Sequence, residues 1–531
     1  MKSRSSLRTP DCPRADEVPC RGRKGSVTMA TALLFLSFSV LGMSMLLLSQ
    51  IHVKAGAWRK HSMILDYASE NGVKRGLEAF GERMNSGDAL IGISPDLAAD
   101  YKEDALRGGQ RIAADFFGWE FPREDRETWE GMSWSSSAAC SSVRTEDRGE
   151  FISVTYGIRI DAEGSLTGFK PKRASSCSAS LEALAGRLPL PCIPLFINKD
   201  MTPGEGSGFM SASGISFRTA PNDRPPRLQA GGVPLIPKDA FPQLAKALKI
   251  DLFRPEDLNN AVLRQALGLE PSTDPVPDGV YLIHDDLGLG GIYVQGDVAE
   301  MVAAIDGDYQ VIRFAAEAGD WVLRFSPSLG RTVFETPGGS LDFDLVPAGI
   351  ICINGSVASL GGGIVEPSGA IVMVTDEGVP SLLAGVSLTI VSSDRVTISS
   401  HLFSQGVRWK DGIPYVKDPS SQLIIYATGK DFLDGGVGEG RIVVAEGAPR
   451  ALTVQASLVA AGSGFAIAGT GKAVELLGGL QATDYASTGN SLAISADPSL
   501  TAARAIPQVA PLTTGPMRYI ASFRVLEWRE Y

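Results

Sequence analysis

The stretch GSVTMATALLFLSFSVLGMSMLLLSQI, residues 25–51, decides how this chain is read. No ionisable side chain occurs from Ser26 to Ile51, whereas the 25 residues before it carry Lys2, Arg4, Arg8, Arg14, Arg21, Arg23 and Lys24. As a helix, the 22 residues from Val27 to Leu48 extend about 33 Å at 1.5 Å per residue, enough to cross a hydrocarbon core of about 30 Å. The apolar run exceeds the roughly 7–15 residues of a secretory signal. The first Ala-x-Ala behind it, Ala55-Gly56-Ala57, lies well past Leu48. A retained span is therefore expected. The seven cations before it outnumber Lys54, Arg59 and Lys60 behind it, which places the amino terminus on the cytoplasmic side.

The helix is expected to outlast the membrane. Trp58, Leu65, Val73, Leu77, Phe80 and Met84 recur at helical spacing, which predicts an amphipathic continuation to about residue 85. Residues 86–285 read as a mixed α+β region, with a helix over 95–117, a strand over 151–160, two short helices over 239–267 and a Pro- and Gly-rich loop over 203–237. From about residue 286 the texture changes to short β runs divided by Gly, Ser, Asp and Asn. The runs from Gly290 and from Gly349 nearly repeat at an offset of 59 residues, which reads as several coils. With few two-residue hairpin turns, the pattern favours a stacked β-solenoid over 286–531, a β-sandwich being the alternative. The expected fold class is α+β: basic leader 1–25, helix 26–85, mixed region 86–285 and mainly-β region 286–531.

Two resemblances rest on these residues. The basic leader, Gly25, the run from Ser26-Val27, and Ala68-Ser69-Glu70-Asn71-Gly72 together resemble the amino terminus of PilX-type minor pilins of type IV pilus systems. That resemblance implies cleavage by a prepilin peptidase between Gly25 and Ser26. It also implies an inner-membrane location, with other pilin subunits and lipid as partners and the later domains periplasmic or extracellular. Major pilins usually carry a glutamate five residues after the cut, where this chain has Ala30, which fits a minor subunit. Close helix packing in lipid is expected at the small residues Ala30, Ala32, Ser37, Gly42 and Ser44. The β-rich half, through Ile351-Cys352-Ile353-Asn354-Gly355, Asp497-Pro498-Ser499-Leu500 and Trp528-Arg529-Glu530, resembles a β-solenoid domain of unknown function that occurs behind such amino termini.

Signals for chemistry are sparse. The net charge is −11. Seven cations against three carboxylates give the leader +4 and leave −15 on the remainder, which disfavours nucleic acid as a partner. The four histidines, His52, His61, His284 and His401, form no zinc-ligand spacing with cysteine, so no metal and no cofactor is expected. His284-Asp285-Asp286 reads as a solvated turn. Gly469-Thr470-Gly471-Lys472 lacks the Ser or Thr a phosphate loop requires, and Gly435 to Gly440 lacks the dinucleotide spacing. Gly206-Ser207-Gly208 does not make a nucleophile elbow. Asp342 and Asp344 would share one side of a strand, as glycan-cleaving carboxylates do. Cys352, in an apolar run, reads as a buried thiol, while Cys177 and Cys192 are near enough in sequence to bridge. The expected function is a non-enzymatic assembly subunit; a single-pass protein displaying a glycan- or envelope-binding solenoid is the alternative, and a polysaccharide-active enzyme the third.

Overall fold

The computed structural model describes residues 26–85, 132–147, 151–189, 195–197, 211–218, 229–230, 249–250, 258–285, 288–375, 378–410, 413–416, 421–433, 435–495 and 513–530. One helix, α1 (Ser26–Asn85), comes first among the described residues, and most of those beyond it are strand. The helix expected over 95–117, Cys192 and most of the loop expected over 203–237 lie outside these residues, as does residue 25; the described part of that loop holds the short strands Ile215–Arg218 and Gln229–Ala230.

The second half of α1 lies on a four-stranded antiparallel sheet. Its strands β1 (Met132–Asp147), β2 (Phe151–Leu166) and β3 (Phe169–Pro189) come in chain order, and the C-terminal strand Thr513–Glu530 pairs with β3. In β2 alternation decides which face meets the helix: Ile152, Val154, Tyr156, Ile158, Ile160 and Ala162 are buried, and Arg159 and Glu163, on the other side of the strand, are exposed. The C-terminal strand corrects the boundary expected for the last domain. Residues 513–530 complete the helix-bearing sheet instead of ending the β-rich body, a pairing across more than 300 residues of sequence that no local pattern announces.

Between β3 and its C-terminal partner the chain builds a stack of coils with three faces. On the first face, Gly288–Gln295, Ile350–Asn354, Ser387–Ser392, Gln422–Ala427, Ser457–Ala460 and Leu480–Ala482 lie parallel in that order. The second face carries Val298–Asp306, Val357–Val365, Val396–Ile398, Arg441–Val444, Gly464–Ile467 and Tyr485–Ser487, also parallel. The third carries Ala451–Val454, Ala473–Leu477 and Ser491–Ser495. On each face successive coils pair parallel, unlike the hairpin-connected antiparallel ladders of a sandwich.

The 59-residue offset is a single step of this stack. Ile292 pairs with Ile351, and Val298 with Val357. The next steps on the first face are 39, 35, 33 and 22 residues. The long first step contains an antiparallel meander, Tyr309–Ala316, Gly319–Ser326, Arg331–Thr336 and Gly339–Phe343, that prolongs the second face beyond the first coil. Its Phe314, Trp321, Leu323, Phe325 and Phe334 join the central core, so it covers an apolar end that would otherwise meet water.

Strands of the first face are apolar along their whole length because both their sides are covered. Ile351, Ile390, Ile425 and Leu458 point into the core. Tyr293, Cys352, Val391, Tyr426 and Val459 point the other way, under Leu258, Leu263 and Val276 around the short helix α2 (Asn260–Ala266). Cys352 is a fully buried thiol, as its sequence context predicts, and burial pushes its pKa up.

The stack does not begin where its sequence begins. Leu195–Ile197 pairs with Leu480–Ala482, and Ile215–Arg218 with Ser491–Ser495, so the first residues to enter the body lie against the last to leave it. This corrects the assignment of 195–218 to a separate mixed region: the strands there are too short to read without the coil on which they stack.

Candidate membrane-spanning and packing surface

Two regimes divide α1. From Val27 to Val53 every large apolar side chain is exposed, Phe35 by 75% and Val53 by 70%. This segment is long and apolar enough to cross a membrane, and none of the described residues covers it. From Leu65 onward the helix has a buried stripe of Leu65, Ala68, Ser69, Gly72, Val73, Gly76 and Leu77. Trp58, expected on this stripe, is instead exposed, and the side chains of Phe80 and Met84 are not described.

Close approach explains the buried stripe. A Cβ on Gly72 would sit 2.8 Å from the Ala162 Cβ, and one on Gly76 3.0 Å from Ile160. From the sheet side, a Cβ on Gly164 would sit 2.8 Å from the Ala68 Cβ and from the backbone of Leu65 and Ser69. Glycine and alanine thus let helix and sheet meet backbone to backbone. At the centre the Ser69 and Ser175 hydroxyls share a hydrogen bond of 2.7 Å, buried from solvent. At the rim Arg173 reaches Asp66 at 3.4 Å and donates to Ser62 Oγ. The Ala68 to Gly72 motif, distinctive in the sequence for its family resemblance, is half of this interface. Its extension at Gly76 and its counterpart Gly164 escape a reading by sequence, although Ala68-xxx-Gly72-xxx-Gly76 is a legible small-residue repeat.

The residues expected to pack in lipid do not form one surface. Gly25 lies outside the described residues, and Ser26 is the first residue of α1. Ala30, Ser37 and Ser44 recur at seven-residue steps and make one stripe, drifting only about 20° per step. Ala32 projects about 200° from Ala30, and Gly42 stands about 140° off the stripe. All five are exposed, and around Gly42 an added Cβ would meet nothing within 4 Å. The hydroxyls donate back to their own helix, Ser37 to the Leu34 carbonyl at 2.8 Å and Ser44 to that of Val40 at 2.7 Å. This leaves neither hydroxyl proton unsatisfied in an apolar surround.

Several sequence groups with possible chemistry have defined places in the structure. Asp342 accepts from Arg331 at 3.0 Å, and Asp344 falls beyond the strand Gly339–Phe343. Their neighbours on the meander form a ladder of cross-strand ion pairs, Arg313 with Glu300 and Asp320, and Arg324 with Asp306 and Glu335. His284 is exposed at the hairpin of Gly279–Asp285 with Gly288–Gln295, its ring 5.7 Å from that of Phe343. Lys472 is buried and donates to the carbonyls of Glu446 at 2.8 Å and Ala448 at 2.7 Å, the role of a strut between coils. Gly440 packs against Gly429 and Gly462 where three coils turn. Among the described residues no three His, Cys, Asp or Glu side chains are grouped to hold a metal.

No family model and no curated protein matches this chain. Among solved structures it is similar to the crystal structure of the competence-associated pilin ComZ from Thermus thermophilus, at 10% identity and a TM-score of 0.23, over 88% of this chain and 97% of that one. A likeness of that size assigns neither fold nor function.

Proposed function

We propose that this chain is a non-enzymatic, membrane-anchored structural subunit of a type IV pilus-like system, a minor pilin of the PilX kind. The observation that carries the reading is the division of α1: a bare apolar half from Val27 to Val53, and a half from Leu65 to Leu77 locked by small residues onto an antiparallel sheet. A helix built this way gives its first half to lipid or to the helices of neighbouring subunits, and its second half to its own domain. In this reading a prepilin peptidase cuts between Gly25 and Ser26, the basic leader stays cytoplasmic, and the rest is exported across the inner membrane. Ala30, Ser37 and Ser44 form the stripe along which a neighbouring helix approaches. With Ala30 in place of a glutamate, the subunit enters a filament as a minor component. The inserted body is a β-solenoid, stiff because each coil buries its apolar sides on the next, and it serves as a display element held away from the membrane.

Fractionation of the native host tests this. Filaments sheared from the cell surface should contain the chain in small amounts relative to the main subunit. A chain found only in the inner membrane, in cells that do make filaments, would instead favour a single-pass anchor displaying the solenoid to envelope partners.

A further inference from the structure

One corner of the coil stack is built differently from the others. Between the third and first faces most coils turn within a few residues, from Val454 to Ser457 and from Leu477 to Leu480. In one coil the chain departs after Phe403–Ser404 into a hairpin, Val407–Lys410 with Ile413–Val416, and returns at Gln422. The coil is opened at that point, and polar side chains meet the backbone groups left behind. Gln405 Oε1 accepts from Ala384 N–H, Ser421 Oγ accepts from Gly385 N–H and donates to the Leu383 carbonyl, and Gln455 Oε1 accepts from Ser404 N–H at 2.7 Å.

Gln422 and Ser457 are the exceptions at this corner. They are 4% and 2% exposed. Both amide atoms of Gln422 and the hydroxyl of Ser457 are buried with no hydrogen-bond partner among the described residues. They line a cavity of about 10 Å³ open to the centre of a water molecule, bounded also by Ser404, Ser421, Gln455 and Gly478. A buried amide left unpaired is costly, because it forgoes the hydrogen bonds it makes to water in the unfolded chain. Something therefore completes this corner, and the donor set says what. Gln422 Nε2 can only donate, which repels a cation, and Gln422 Oε1 can only accept, which repels an anion. The occupant both donates and accepts, carries no charge, and fits a space just large enough for one water.

We propose that a single buried water is bound at the base of the Val407–Val416 hairpin, bridging the Gln422 amide and the Ser457 hydroxyl and closing the coil that the hairpin opens. An experimental map of the full-length, detergent-solubilised chain at about 2 Å tests it. The expected result is one isolated peak about 2.7–3.2 Å from a Gln422 amide atom and from Ser457 Oγ. Gln422→Met, which fills the same length without the amide's polar atoms, should remove that peak and reduce by one the long-lived waters counted by oxygen-17 relaxation dispersion. The proposal is overturned if the wild-type corner is empty with the Gln422 amide bonded to protein groups. It is equally overturned by a peak ringed by six or more oxygens at about 2.3–2.6 Å, which would be a cation. Should the Gln422→Met chain fail to fold, the wild-type map decides alone.

Discussion

Single glycines set the spacing between helix and sheet. Gly164 faces backbone atoms of Leu65 and Ser69, which cannot swing aside as a side chain could. Gly164→Ala should therefore cost about 1–3 kcal/mol, the range for overpacking a filled site, seen as an earlier urea midpoint of the solubilised chain. Gly42→Ala is the complementary test, because open space surrounds Gly42. It should leave the fold of the isolated chain intact, and any loss of filament incorporation would then report packing against a neighbour. Lys472→Met strips the carbonyls of Glu446 and Ala448 of their donor. A loss of about 1–3 kcal/mol is expected by chemical denaturation.

His401 adds a pH dependence. Its Nδ1 accepts from the Thr453 N–H at 3.1 Å, and burial lowers its pKa below the ordinary histidine value. The unfolded chain thus binds the proton more readily than the folded one. The stabilising contribution is whole above the unfolded pKa of about 6.5 and is lost as pH falls from there toward the folded value. His401→Gln should flatten the dependence of the melting temperature below pH 6.5, while a slope unchanged by the substitution would assign it to other groups.

At the level of elements, the strands of the first face stand or fall by burial on both sides. Ile425 is wholly buried at the centre of Gln422–Ala427, and Ile425→Ala should cost about 2–5 kcal/mol in a denaturant melt. The same double burial decides what is legible in the sequence. Ile350-Ile351-Cys352-Ile353 and Gln422-Leu423-Ile424-Ile425-Tyr426 announce themselves as strands, since nearly every position needs an apolar or β-branched residue. The near repeat from Gly290 and Gly349 is visible for a related reason, because stacked positions share one environment. Its span is hidden, since the meander between adds length without changing the register. Leu195–Ile197 and the C-terminal strand are illegible as parts of their sheets, because their partners lie hundreds of residues away. The small-residue repeat through Ala68, Gly72 and Gly76 stands in plain view, but its meaning depends on Gly164 and Ala162 across the interface.

The molecule as a whole is one helix-bearing sheet with a large body inserted between two neighbouring strands. Pro189 at the end of β3 pairs with Thr513, so the chain leaves the sheet and returns to it at adjacent points. The body makes this possible by placing its first strands against its last, at Leu195 with Leu480. Its two ends emerge together, and the entropy of closing so long a loop is borne by the body's own folding. Replacing residues 190–512 with a short turn should therefore leave α1 seated on its sheet, read by the protection of amides in β2 from hydrogen exchange. Loss of that protection would show that the sheet depends on the body. The same layout keeps the bare half of α1 free for lipid or for other helices, and the proposed assembly role rests on that freedom. Intact-mass and N-terminal peptide mass spectrometry of the mature chain from its native host is the most direct test. A chain beginning at Ser26, and retaining its 25-residue leader when the prepilin peptidase is removed, is the predicted result; an intact leader in the unmodified host, or a mature start near Trp58, would contradict it.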